Sequence, residues 1–353
     1  MSKAAICVVV PVYKAMATLD RCVESVLAQQ VEGGLTCILV DDGSPDESGA
    51  LCDAWATKDD RVTVIHQDDL GVSGARNSGL AAADSEFIVF LDSDDALRPG
   101  ALQAALTAQR AAPQDFVVWH YTTDEKDPAA VTADAEPRTQ AGLARLWLDC
   151  LLAMPWNKLY RADLAKQLQF DVQYTLGEDL QFVLDYIALL GQTVPEFGYR
   201  VMTSSLTFYD CSRGGTLSTR YHANYCDIWP KHFAKLNAAC HAAACPAEDV
   251  RPLHRAELQV FAEGVADIMR RDPSPTQRLK GYKAEAALRS PWLRALLERM
   301  KIEHCYSAYY LPCRWRNVGL VCRVDEARRT NAPLYGKLDW AGYYLLLGRM
   351  RRD

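Results

Sequence analysis

No two cysteines in this chain are spaced Cys-x-x-Cys, although its 353 residues include 12 of them. Cys240 and Cys245 flank one histidine, His241, without a second ligand pair. That argues against a zinc site and leaves reduced, mostly buried thiols as the reading. No uncharged stretch approaches the roughly 18 residues of a membrane span. The opening "MSKAAICVVVPVY" runs straight into a strand, without the apolar stretch and cleavage site of a secretory leader, so a cytoplasmic protein is expected. No glycine-rich turn follows that strand, and the spacing in "GVSGARNSG" does not fit G-x-G-x-x-G, which disfavours a nicotinamide enzyme. The formal charge of −6 gives no reason to expect nucleic acid as a partner. There is no internal repeat and no low-complexity tract.

What is present suits two domains, or one large domain with an appendage, since 353 residues exceed one ordinary core. Charge is unevenly distributed. Residues 281–353 hold 14 Lys/Arg against 7 Asp/Glu, a net of +7, so the first 280 residues carry −13.

Ile6 to Val12 is a β-branched run too continuous to be half exposed, and it predicts a buried strand. Leu19, Cys22, Val23, Val26 and Leu27 follow at helical spacing. "CILV" (Cys37 to Val40), "VTVI" (Val62 to Ile65) and "FIVFL" (Phe87 to Leu91) predict three more buried strands. Helices are predicted over Val72 to Ala82 and from about Pro99 to Arg110. Ser44, Pro45 and Glu47 have the form of a helix start: a cap, a proline at the first helical position and an acid three residues after the cap. Strands alternating with helices, each strand solidly apolar, predict an α/β fold with a mostly parallel, Rossmann-like sheet flanked by helices.

Such sheets bind ligands beyond the carboxyl ends of their strands. The polar punctuation falls there: "VPVYK", "DDGS", "HQDDLG" and "DSDD" close the four strands in turn. Asp92, Asp94 and Asp95 repel one another unless a hard cation neutralises them, and Asp-x-Asp supplies oxygen ligands from one turn. Magnesium or manganese held this way completes its shell with water and substrate phosphates, so the cluster reads as a metal–diphosphate site. Capping or turn chemistry is the competing account, most of all for Asp95. Asp41 and Asp42 either form a turn or accept hydrogen bonds from a nucleoside. "GVSGARNSG" (Gly71 to Gly79), with Arg76, suits a backbone lying close to phosphates.

Taken together, "VVVPVYKAMATLDRCVESVLAQ", "LVDDGSPD", "GVSGARNSGL" and "FLDSDDALRPG" resemble family 2 glycosyltransferases with the GT-A fold, in the same order. "WNKLYRADL" and "GEDLQF" resemble the acceptor half of bacterial capsule and lipopolysaccharide transferases. The resemblance implies a catalytic domain over 1–220, with a nucleotide-sugar half at 1–110 and an acceptor half at 111–220. A helical region at 221–353 follows. It implies that Pro11, Val12 and Tyr13 border the base and ribose and that Asp42 binds the nucleoside. Arg76 would contact the nucleotide or diphosphate, Asp92 and Ser93 would lie beside the ribose or metal, and Asp94 would bind Mn2+ or Mg2+. Asp179 would be the catalytic base, with Glu178 beside it.

A nucleotide-sugar, UDP-linked by this resemblance, already carries a good leaving group, so the remaining need is a carboxylate that deprotonates the acceptor hydroxyl. A single displacement inverts the anomeric centre. The acceptor would be a glycan or lipid-linked sugar in cell-surface polysaccharide synthesis. A nucleotidyltransferase also uses aspartates and magnesium on an α/β sheet, but it needs a glycine-rich basic loop after the first strand, and "VPVYKAMATL" is not one. Arg213 in "YDCSRGGTLS" suits either a segment closing over a diphosphate or an ordinary loop. From Tyr225 the pattern is helical, with "PAEDVRP" and "RDPSPTQR" as connections. "YYLPCRWRNVGLVCRVDEARR" and "LDWAGYYLLLGRMRR" mix aromatics, aliphatics and arginines, which suits peripheral contact with an anionic inner membrane face as well as packing on the protein.

Overall fold

The computed structural model describes residues 3–174, 176–212 and 220–340. They fall into two compact units, Met1–Gly214 and Gly215–Asp353. In the first unit the four expected strands form as β1 (Ala4–Val12), β2 (Leu35–Asp42), β3 (Val62–Gln67) and β4 (Ser85–Phe90). Helices α1 (Leu19–Leu27), α2 (Ser48–Lys58) and α3 (Gly71–Ala82) connect them. The strands run parallel in the order β3-β2-β1-β4. Their register sets Val12 level with Asp41, and Asp41 level with His66, so the polar strand ends share one edge. Val8, Val10, Leu39 and Val89 are fully buried, as solid apolar strands covered on both faces require.

The chain then forms β5 (Ala96–Leu97), α4 (Ala101–Ala111), β6 (Phe116–Thr122), β7 (Ala135–Thr139), α5 (Leu143–Leu148) and β8 (Lys158–Arg161). After these come α6 (Ala162–Ala165), α7 (Glu178–Thr193) and β9 (Gly198–Phe208). The nine-stranded sheet continues β4-β8-β6-β9-β5, with β7 also on β9. Here β8 is antiparallel to β4 and to β6, while β9 is parallel to β6. The parallel reading therefore describes the first four strands, and the second half mixes directions. An aromatic core joins the halves: Phe170 stacks on Phe182 at 4.0 Å, and Phe90 meets both edge-on. Truncating a core ring such as Phe182 to Ala would cost about 3–5 kcal/mol.

One local expectation is corrected. Helix α2 starts at Ser48, not at a cap on Ser44. The Ser44 hydroxyl instead accepts from the Lys14 N–H at 3.3 Å, and its own N–H donates to Asp41 at 3.2 Å. Ser44 is thus engaged in tying two strand ends together. The glycine-rich stretch is helical, as expected for Val72 to Ala82, and forms the body of α3. A Cβ on Gly79 would sit 2.3 Å from Val9 Cγ1, so glycine there lets the helix lie against the sheet.

The second unit is helical: α8 (Tyr225–Ala242), α9 (Ala247–Arg271), α10 (Gln277–Leu288), α11 (Pro291–Ile302), α12 (Tyr310–Arg314) and α13 (Val318–Thr330). Its core includes Leu258, Phe261, Val265, Leu297, Tyr309 and Val321. "RDPSPTQR" is a connection, since α9 ends at Arg271 and α10 begins at Gln277. "PAEDVRP" is not. Pro246 precedes α9 and Pro252 lies within it, past the first turn, where it has no N–H to donate to the Glu248 carbonyl four residues back. No described helix is long and apolar enough to cross a membrane. Residues 213–219, Arg213 among them, lie outside the described residues, as do those after Trp340.

Candidate active site

The site is built at the shared strand edge. Asp42, at the end of β2, is buried and its Oδ1 accepts from the Gln67 side chain at 2.6 Å and the Leu70 N–H at 3.0 Å. Gln67 in turn accepts from Ser78 of α3 at 2.5 Å. Asp41 faces His66, whose Nδ1 lies 3.0 Å from its Oδ2. Burial resists the charge on Asp41, but hydrogen bonds from Ser44 and His66 outweigh it and hold the carboxyl below its usual range. At the end of β1, Pro11 and Val12 are buried and Tyr13 is exposed. Val12 is fully enclosed in the core, so its side chain does not reach a ligand, whereas the Tyr13 ring can.

After β4 the chain turns through "DSDD". Asp95 donates its N–H to the Asp92 carbonyl at 3.0 Å and is itself wholly buried. Its Oδ1 accepts from the Asp210 N–H at 2.9 Å, while Oδ2 is buried with no hydrogen-bond partner. Burial pushes the Asp95 carboxyl up to about 9, and the nearby charges of Asp92 and Asp94 add to the effect. Ser93 and Asp94 are half-buried. Arg21 of α1 braces the turn, donating to the Asp94 carbonyl at 2.5 Å and to Asp210 Oδ2 at 2.7 Å.

The link between the halves is Arg76. Its guanidinium is 3% exposed and donates to Asp92 Oδ1 at 2.8 Å and to Asp179 Oδ1 at 2.6 Å. Burial works against the charge, but Asp179 and Asp92 more than compensate and hold its pKa above the ordinary value. Asn77 beside it exchanges two hydrogen bonds with the Phe170 backbone, at 2.8 and 2.7 Å, and the Arg76 guanidinium lies 5.4 Å from the Phe170 ring. Glu178 and Asp179 open α7 behind Gly177, whose φ of +77° suits glycine. An acid in a first turn is favoured by the helix dipole and held rigidly. Although 30% of the Asp179 side chain remains open, burial pushes its carboxyl up to about 7. Arg76 pulls the other way, and Glu178 and Asp92 push it further up.

The expected residues therefore do not all meet in one network. Asp92, Arg76 and Asp179 are joined directly, whereas Asp42 closes its own turn with Gln67. Sequence reasoning misses Arg21, which looks like part of a solvated helix face, and Asp210. It also misses Lys158, whose buried ammonium donates to the Leu151 and Met154 carbonyls and to Asn157 at 2.7, 2.6 and 2.5 Å. Burial drives its pKa well below the usual value. Lys158 thereby holds the loop that carries Trp156, which stacks on Tyr209 at 5.4 Å. A lysine inside "WNKLY", with Trp156, Leu159 and Tyr160 close by in sequence, is the signal that could have found it.

Residues 7–169 match the model of the family described as glycosyl transferase family 2. The chain is 31% identical over 236 residues to YibD of Escherichia coli K12, an uncharacterised glycosyltransferase, covering 63% of this chain and 68% of that protein. It is 39% identical over 124 residues to the glycosyltransferase GlyG of Streptococcus pneumoniae, covering 35% of this chain and 41% of that protein. It is 31% identical over 211 residues to the succinoglycan biosynthesis protein ExoO of Rhizobium meliloti, covering 54% and 58%. GlyG and ExoO are thus matched over less than two thirds of their own length. The fold is similar to residues 1–349 of TarS from S. aureus, solved with UDP-GlcNAc, at a TM-score of 0.63 and 16% identity over 92% of this chain and 91% of that one. A mannosyltransferase from Pyrobaculum calidifontis, solved with GDP-Man and Mn2+, gives 0.50 and 17% over 93% and 88%.

Proposed function

The chain belongs to glycosyl transferase family 2 and has the GT-A fold, and from that premise we propose that it is an inverting glycosyltransferase of cell-surface polysaccharide synthesis. It would move a sugar from a nucleotide-sugar, UDP-linked in our reading, to a hydroxyl of a glycan or lipid-linked acceptor. One observation carries the reading. Arg76 ties Asp92, at the end of the nucleotide half, to Asp179, at the start of α7. A base and a donor-binding turn are thereby held at a fixed separation by one buried cation.

In this reading Asp42 and the exposed Tyr13 face the nucleoside, with Pro11 and Val12 supporting them through the end of β1. Arg76, Asp92 and Ser93 lie toward the ribose and diphosphate. The turn suits a hard cation: its donors are all oxygen, and Asp95 Oδ2 is buried there without a partner. Asp94, with Asp92, would hold Mn2+ or Mg2+, which neutralises charge on the departing diphosphate. Asp179 accepts the acceptor hydroxyl's proton as the new glycosidic C–O bond forms and the bond to the diphosphate breaks, its electron pair leaving with the diphosphate. A carboxyl near 7 is matched to that task at neutral pH. Glu178 stands next to it toward the sugars.

Slow hydrolysis of UDP-, GDP-, CMP- and dTDP-sugars, screened with manganese present, tests the donor. Proton NMR of the first product tests the stereochemistry. Retained anomeric configuration, or hydrolysis of none of the sugars, would reject this reading.

The helical unit exposes Ile302, Trp315, Leu334, Leu338 and Trp340 among its arginines. Peripheral contact with anionic lipid belongs to the same proposal. Flotation with anionic liposomes, comparing the full chain with one ending near Ser290, measures it. Equal flotation of both, or of neither, removes this part.

A further inference from the structure

The helical unit contains an open cavity of about 720 Å³ between α8, α9 and α11, within the range of small-ligand sites. Ala234, Ala238 and Ala295 keep its walls low, and Trp292 supplies an aromatic side. Its floor is a polar network unusual for a helix bundle. His254, 2% exposed, lies 2.6 Å from Glu303 through Nδ1, and its Nε2 lies 3.1 Å from Asn237 Oδ1 and 3.2 Å from Arg299. Glu257, 1% exposed, accepts from Asn237 at 2.6 Å.

The charges do not cancel. Glu303 is committed to His254, and burial pushes the Glu257 carboxyl up to about 8, so near neutrality it is largely uncharged. Arg251 and Arg299 line the same cavity, and neither has a carboxylate ion-pair partner among the described residues. His254, Glu303 and Cys305 could group around a metal. The guanidinium of Arg299 against His254 opposes a cation there. It favours an anion.

We propose that this cavity is a saccharide-binding site for a sugar unit bearing an anionic group, a phosphate or a carboxylate. The arginines meet the anion and Trp292 offers an apolar face to the ring, above the floor that His254, Asn237 and Glu257 close. Its role is to hold a charged segment of the acceptor or product glycan. The saccharide half of this inference rests on the glycosyltransferase reading, and the anion half rests on the cavity alone.

The test is ligand-observed NMR titration of the full chain with UDP present throughout. The probes are glucose 6-phosphate, glucuronic acid, glucose and inorganic phosphate. Saturable binding is expected for at least one of the two anionic sugars, which also separates the phosphate source from the carboxylate source. Glucose and inorganic phosphate are expected to bind at least tenfold more weakly. Arg251→Ala, which removes a side chain without an ion-pair partner among the described residues, and Ala238→Trp, which fills the cavity from an exposed wall, should each weaken binding at least tenfold. Both should leave slow donor hydrolysis within twofold of wild type, so this result stands apart from any failure of the donor reading. No saturable binding, binding that survives both substitutions, or equal binding of inorganic phosphate alone would overturn the proposal.

Discussion

The two units each surround a charged side chain with opposite charges, and they do it differently. In the sheet unit Arg76 is enclosed while its partners Asp92 and Asp179 keep 29% and 30% of their side-chain surfaces open. In the helical unit Asp325 is wholly enclosed while its partners Arg270 and Arg328 keep 35% and 29% of their side-chain surfaces open, with Tyr309 adding a hydrogen bond at 3.4 Å. A buried cation with half-open acids leaves carboxylate lone pairs facing a cleft. A buried acid with open cations leaves nothing for a ligand to use. The first arrangement suits chemistry and the second suits holding helices together.

The largest test of that contrast is Asp94→Ala. It should abolish turnover and leave the melting temperature nearly unchanged, and EDTA should silence the native enzyme. Near wild-type activity at limiting manganese would remove the metal role. Next is Asp179→Asn, expected to lower kcat by roughly a hundredfold or more with nucleotide binding intact, as loss of a general base predicts. Isothermal titration with UDP separates the two readouts.

Asp325→Ala should do the reverse. It leaves Arg270 and Arg328 without their shared partner and should cost about 2 kcal/mol, below the figure for a fully buried pair because Arg270 keeps 35% of its surface. Donor hydrolysis should be retained. A large loss of kcat with unchanged stability would collapse the distinction between the units.

A smaller effect is the pH profile. Asp179 works as a base only when ionised, so kcat/KM should rise with pH through about 7 and fall about tenfold per unit below it. A flat profile between pH 5 and 8 would reject the raised carboxyl.

The smallest concerns Glu257, whose folded pKa of about 8 lies above its unfolded value. The folded chain then holds a proton that the unfolded chain has lost, so stability falls as pH rises from the unfolded pKa toward 8. Glu257→Gln should match wild type near pH 4 and melt several degrees higher near pH 8.5. No difference at the higher pH would mean Glu257 ionises freely.

Much of the site is legible in the residues alone. "FIVFLDSDD" announces a buried strand ending in acids, and Glu178 and Asp179 mark a helix start. Ser44 misleads because serine, proline and acid at those spacings specify a cap only if the hydroxyl is free, and here it is taken by Lys14. Arg21 is invisible, since one arginine on an amphipathic helix looks the same whether it meets water or the Asp94 carbonyl. In the helical unit no short motif brings His254, Glu257 and Glu303 together, because they come from different turns and different helices.

By itself, then, the sequence determined where the first four strands lie and which residue types stand at their ends. Continuous β-branched runs have to be buried, and acids cannot follow them inward. Only the tertiary structure decided which acids face one another and through which cation. Asp92 and Asp179 belong to separate elements, and their meeting depends on Arg76 being carried to both by a helix packed on the sheet through Gly79.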